Sequence, residues 1–225
     1  MSIRDGFSER FVLRLAKAAY SQNPSFIIEP RKTALLVIDM QDEFVKPHWT
    51  PFWVPQATRI VSRVRKLIGH CRRRKIPVIF TAYARTHFHL DRPKSGALMP
   101  NRYTGKIRDD PSYFTDGRIW RELSPLDNEI VILKSSYGAF FDTPLESILK
   151  NLGRDTVIIC GTLTNFCCGT TARQAYERGF KVVVGSDVTA TDDPDLHKAE
   201  LKTLRKGFAM VLTSTQIIKK LDGSR

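Results

Sequence analysis

The chain has 225 residues, 42% of them hydrophobic, and a formal net charge of +13. That length suits one domain with a sizeable core, and no stretch approaches the roughly 18 apolar residues that a membrane span requires. The opening "MSIRDGFSERFVLRLAKAAY" lacks a signal-peptide apolar run, and the four cysteines have neither zinc-site spacing nor disulfide-framework density. A soluble, cytoplasmic protein with reduced thiols and no membrane partner is therefore expected.

In chain order, residues 1–32 read as an N-terminal extension with an amphipathic helix over Phe7–Tyr20. Phe7, Phe11, Val12, Leu15 and Ala19 share one side of it, which predicts packing on the body or on a neighbouring subunit. Residues 33–225 form the main domain. Apolar, β-branched runs predict strands at Thr33–Asp39, Pro77–Tyr83, Glu129–Lys134, Thr156–Gly161, Lys181–Ser186 and Phe208–Leu212. Their continuity suits strands of a parallel sheet buried on both faces. Helices are predicted between them, at Pro55–Lys75, Thr143–Asn151, Cys168–Arg178 and Asp195–Lys206, with Gly153 and Gly179 as C-terminal caps. The alternation makes this an α/β, doubly wound pattern.

Much of the positive charge lies in "RIVSRVRKLIGHCRRRK". Ile60, Val61, Val64, Leu67, Ile68 and Cys71 recur there at helical spacing, leaving Arg and Lys on a solvated face. Without interleaved aromatic residues, no nucleic-acid partner is expected. Two other stretches stand out. "KPHWTPFWVP" places Trp49, Phe52 and Trp53 where they would cover a substrate or bury a subunit contact. Residues 84–128 are long for a connection and read as a lid-like insertion, whose Arg85, Arg102 or Arg118 could meet a substrate carboxylate.

In open parallel sheets, ligands bind beyond the carboxyl ends of the strands. Three reactive side chains sit there: Asp39, Lys134 and, one turn past the fourth strand, Cys167. Together they would supply a base, a cation and a nucleophile. Taken singly, each has a plainer reading, as a helix cap, a solvated strand end or a small buried apolar residue. Cys167 would fall in the first turn of a helix, where free N–H groups depress a thiol pKa. Cys168, about 100° further round, would pack away from the same crevice.

The stretches "TALLVIDMQDEF", "LKSSYGAFFDTPLESIL" and "GTLTNFCCGTTARQAYERGFKVVVGSD", in this order and spacing, resemble the isochorismatase-like cysteine hydrolases over residues 30–215. The resemblance implies a Rossmann-like three-layer sandwich, a six-stranded parallel sheet with helices on both faces. It puts the nucleophile on Cys167 through G-x-x-T-x-x-C-x-x-x-T, with Thr164 and Thr171 as the flanking threonines, and makes Asp39, Lys134 and Cys167 the catalytic set. It also implies a cis peptide between Thr162 and Leu163, turning the Leu163 N–H, with that of Cys167, toward an oxyanion hole. No cofactor is implied, and a homodimer or homotetramer is. The implied activity is hydrolysis of an amide or ureido C–N bond of a small, anionic molecule. The alternatives are isochorismatase-type vinyl ether hydrolysis, nicotinamidase-like amide hydrolysis, and a non-catalytic binding or scaffold role, which a broken catalytic set would signal. Nicotinamidases of this family carry an Asp-x-His metal pair. "ARTHFHLDRPKSGA" offers only His87, His89 and Asp91 at another spacing, so these read as polar loop residues and no metal is expected. Candidate substrate contacts are Gln41, Phe44, Trp49, Arg85, Tyr137, Phe140, Phe141, Thr164 and Asn165.

Overall fold

The computed structural model describes residues 7–95 and 113–223; Arg102 and the middle of the 84–128 stretch lie outside them. Six strands, β1 (Thr33–Ile38), β2 (Val78–Tyr83), β3 (Ile130–Lys134), β4 (Thr156–Thr162), β5 (Lys181–Ala190) and β6 (Met210–Leu212), form one sheet in the order β3-β2-β1-β4-β5-β6. Every pairing is parallel. Each strand was anticipated to within a few residues, apart from the longer β5, whose polar second half continues past a register shift opposite Ile159 and Gly161.

Alternation along the central strand explains the three layers. Leu35 and Val37 point into a core shared with α3 (Pro55–Arg73) and α7 (Ser214–Gly223), whereas Leu36 and Ile38 point into one shared with α4 (Leu145–Asn151), α5 (Gly169–Glu177) and α6 (Pro194–Gly207). On α3 the predicted apolar face is buried. Gly153 and Gly179 follow α4 and α5 with φ of 64° and 82°, the left-handed conformation that ends a helix. The four-residue α2 (Asp42–Val45) and α7 were not anticipated.

One expectation needs correction. β3 is the sheet's edge strand, so Ile130, Val131 and Leu133 stay partly exposed and only Ile132 and Lys134 are buried. The N-terminal helix, α1 (Glu9–Ala19), forms with Ser8 as its cap but buries no residue against the body. The chain meets the body at Tyr20, whose ring lies 4.0 Å from Lys206 Nζ on α6, and at Asn23, whose side chain exchanges hydrogen bonds with the Val211 backbone on the outer strand β6. Packing begins in earnest only at Ile28. No described helix is long and apolar enough to cross a membrane.

Candidate active site

The strand order brings three chain-distant groups to the carboxyl edge of neighbouring strands. β1 ends at Ile38, so Asp39 turns out of the sheet with a positive φ of 48°. Its N–H meets the Thr81 carbonyl at 3.1 Å, and the Thr81 hydroxyl donates to its Oδ1 at 2.7 Å. Lys134, the last residue of β3, reaches across β2 to place Nζ 2.7 Å from Asp39 Oδ2, while also donating to the Ser136 carbonyl at 2.8 Å. Both side chains of this ion pair are wholly buried. Cys167 lies in a wide helical turn, Thr164–Cys168, that leads from β4 into α5, and is 4% exposed.

These groups set one another's protonation. Burial alone would pull the Lys134 ammonium down, but the Asp39 carboxylate and the Cys167 sulfur more than offset it and hold its pKa above the ordinary value. Burial pushes the Cys167 thiol up to about 12; Lys134 opposes the rise, the hydrogen-bonded Asp39 reinforces it, and the Leu163 N–H opposes it. The expected depression of this thiol by a helix terminus is therefore corrected: desolvation outweighs the local dipoles. Burial thus favours the protonated thiol, next to Asp39. Cys168 is fully buried in the core at the start of α5, its thiol raised well above its ordinary range by burial. The Thr162–Leu163 peptide is cis.

Cys167 opens onto a cavity of about 510 Å³. Phe44, Phe52, Tyr83 and Phe114 form one wall, Tyr137 and Phe166 another, and Arg92, Ser95, Ser135, Ser136 and Asp192 add polar groups. Edge-to-face and tilted ring contacts fix the first wall, with Phe114 within 5.0–5.3 Å of the rings of Phe52, Tyr83 and Phe44. Beneath it, the buried Glu43 carboxylate accepts from the Phe114 N–H and the Gln41 side-chain amide, both at 2.9 Å.

Of the expected substrate contacts, Phe44 and Tyr137 line this cavity; the others do not. Gln41 is buried, its amide spent on both backbone groups of Tyr83. Trp49 is 41% exposed under Lys46 and edge-on to Tyr113. Arg85 points to solvent, as does Arg118. Phe140 packs in the core against Phe180, and Phe141 is half-buried away from the cavity. Thr164 bonds His197, Asn165 accepts from the Thr191 hydroxyl, and Thr171 holds the Ala139 N–H at 3.0 Å. His87 pairs with Asp91 at 3.2 Å on the surface, and no group of three or more metal-ligating side chains occurs among the described residues. Phe52, one of the aromatic residues expected to cover a substrate or a subunit contact, does line the cavity, whereas Tyr83, Phe114 and Arg92 were missed, because they come from separate segments with no local motif.

The isochorismatase domain family matches residues 33–216. Nicotinamidase 3 of Arabidopsis thaliana is 34% identical over 193 residues, covering 85% of this chain and 89% of that protein. A cysteine hydrolase from Pseudomonas syringae pv. phaseolicola superimposes with a TM-score of 0.78 at 29% identity, over 90% of this chain and 98% of the other. N-carbamoylsarcosine amidase from Thermoplasma acidophilum does so with a TM-score of 0.64 at 28% identity, over 81% and 96%. With the family match spanning β1 to α7 and the fold shared along its length, the chain belongs to the isochorismatase-like hydrolase family.

Proposed function

We propose that this protein is a cysteine-dependent hydrolase that cleaves an amide or ureido C–N bond of a small planar molecule bearing a negative charge. The observation that carries the reading is the buried contact of Asp39 with Lys134 beside the Cys167 thiol, at the floor of an aromatic cavity. In this scheme, Asp39 accepts the thiol proton as Cys167 Sγ attacks the carbonyl carbon, and Lys134 offsets the negative charge during transfer. The tetrahedral oxyanion is held by the N–H groups of Leu163 and Cys167. Asp39 returns the proton to the departing amine, and water then hydrolyses the thioester. A thiol pushed up by burial suits an attack coupled to proton transfer better than a preformed thiolate.

The names of the relatives, a nicotinamidase and an N-carbamoylsarcosine amidase, support C–N cleavage, and a cysteine hydrolase of the same fold supports the nucleophile. Arg92, at the cavity and 5.7 Å from the Tyr83 ring, is better placed for the carboxylate-reading role than Arg85 and Arg118, which point to solvent. The aromatic walls favour a second reading, a nicotinamidase-like amidase acting on a ring amide.

Ammonia release is measured over a panel of ureido acids, carbamoyl amino acids and nicotinamide, with wild type and Cys167→Ala side by side. Release from one class that vanishes in the variant is expected. Full activity in Cys167→Ala, or no release from any amide by folded wild type, would overturn the proposal and turn attention to vinyl ether chemistry or a non-catalytic role.

A further inference from the structure

His197 sits on α6, outside the cavity that Cys167 faces, yet it is bonded to the turn that carries the cysteine. Its Nδ1 lies 2.8 Å from the hydroxyl of Thr164, which is fully buried, and its Nε2 lies 3.2 Å from the Ser186 carbonyl. A carbonyl can only accept, so Nε2 carries the ring proton. Nδ1 is then a lone pair, and the Thr164 hydroxyl must be the donor. The tautomer, and with it the direction of the Thr164 bond, is fixed by the β5 backbone.

The same face of α6 grips the start of α5. Glu200, one turn beyond His197, forms a two-pronged pair with Arg173, one bond of 3.0 Å and a second to Nη1. At Gly169 the approach is so close that a Cβ would meet Glu200 Oε1 at 2.1 Å and the Thr164 carbonyl at 2.9 Å. The Thr164–Cys168 turn is thus clamped by α6 at its first residue and just beyond its last. Burial keeps His197 below its ordinary pKa, consistent with a neutral ring. Arg63 of α3, Asp187 of β5 and Lys198 of α6 are the charged groups lining the small cavity beside it.

We propose that His197 is a positioning residue that sets the aim of Cys167 through its hydrogen bond to Thr164. The proposal rests on Cys167 as nucleophile, but it makes a claim that can be read without substrate. A side chain bound only through Thr164 should serve, and one bound only through Ser186 should not. Asn at 197 places an acceptor where Nδ1 lies, whereas Gln places a donor where Nε2 lies.

The experiment compares wild type with His197→Asn, His197→Gln, His197→Ala and Thr164→Val, each first shown to be folded by its thermal transition. The primary readout is the rate of Cys167 alkylation by iodoacetamide, followed by mass spectrometry at that residue. Once a turned-over amide is known, kcat and KM are read as well. His197→Gln, His197→Ala and Thr164→Val should slow alkylation and lower kcat by about tenfold to a hundredfold, the usual effect of a small misplacement, with KM little changed. His197→Asn should stay near wild type. Equal rates in all variants would overturn the proposal, as would equal losses in the Asn and Gln variants, which would make His197 a packing residue. If no panel amide is hydrolysed while alkylation follows the expected order, the positioning claim stands and the reaction assignment falls.

Discussion

Removing Lys134 should expose what its charge does for the fold. Two unit charges 2.7 Å apart attract by roughly 6 kcal/mol at an effective dielectric of about 20. Taking each ion out of water costs several kcal/mol, so the intact pair comes close to breaking even. Lys134→Met keeps most of the volume but leaves Asp39 buried without its cation, and the Ser136 carbonyl loses its donor. Breaking a buried pair from one side costs about 3–5 kcal/mol. The assay is urea unfolding followed by circular dichroism, at neutral pH and constant slope. In Lys134→Met/Asp39→Asn the stranded charge is gone, so the double variant should be more stable than Lys134→Met alone, despite carrying one more substitution. A loss below about 1 kcal/mol in Lys134→Met would refute this reasoning, as would a double variant whose losses simply add.

Three further outcomes are expected. Burial raises the Cys71 thiol from about 9 to about 12, so the folded chain keeps a proton that the unfolded chain loses between those values. Stability should fall there by about 1.4 kcal/mol per pH unit for this thiol, and urea midpoints across that range should show a shallower fall in Cys71→Ala. Identical slopes would exclude the linkage. Gly161 has a φ of 122°, and a Cβ there would lie 2.0 Å from the Ile38 carbonyl of the adjoining strand. Gly161→Ala should therefore lose about 1–3 kcal/mol from the clash and a similar amount from the backbone conformation, measured as a lowered unfolding midpoint; an unchanged midpoint contradicts the close approach. Arg92→Ala should raise KM for a carboxylate-bearing amide by about tenfold or more, the worth of one charge-assisted bond, and alter a neutral amide little. Equal changes for both would remove Arg92 as the reader of the anion.

What could be read in advance follows from how local each signal is. Strands announce themselves because a run such as "TALLVID" has no other use in a chain this size. Reactive side chains at strand ends follow from the crevice rule, which is how Asp39 and Lys134 come forward before any coordinates. The edge position of β3 was hidden, since "EIVILK" is as apolar as a central strand and only the strand order exposes Val131 and Leu133. The wall around Phe114 was hidden for another reason. It is pinned by Glu43, and a buried acid that serves the backbone of a distant loop has no sequence pattern. Similarly, "AFF" does not say which ring turns inward, and stacking on Phe180 sends Phe140 to the core. The rise of the Cys167 thiol also needed the fold, because desolvation depends on what lies above the turn and not on the turn itself.

The position of Lys134 at the last rung of an edge strand gives the site a second meaning. It stands opposite Tyr83 on β2, and its burial is one beat of the strand's in-and-out alternation. A slip of β3 by a single residue would turn Leu133 inward and send the ammonium out to water. An edge strand has one neighbour to hold its register, and here an ion pair with Asp39, two strands away, holds it as well. The site is also built from groups far apart in the chain, so it closes only after the long-range pairings have formed. On the proposed mechanism, a molecule whose sheet is misregistered at that edge would be inactive as well as ill-folded, and activity would double as a report on the correctness of the sheet.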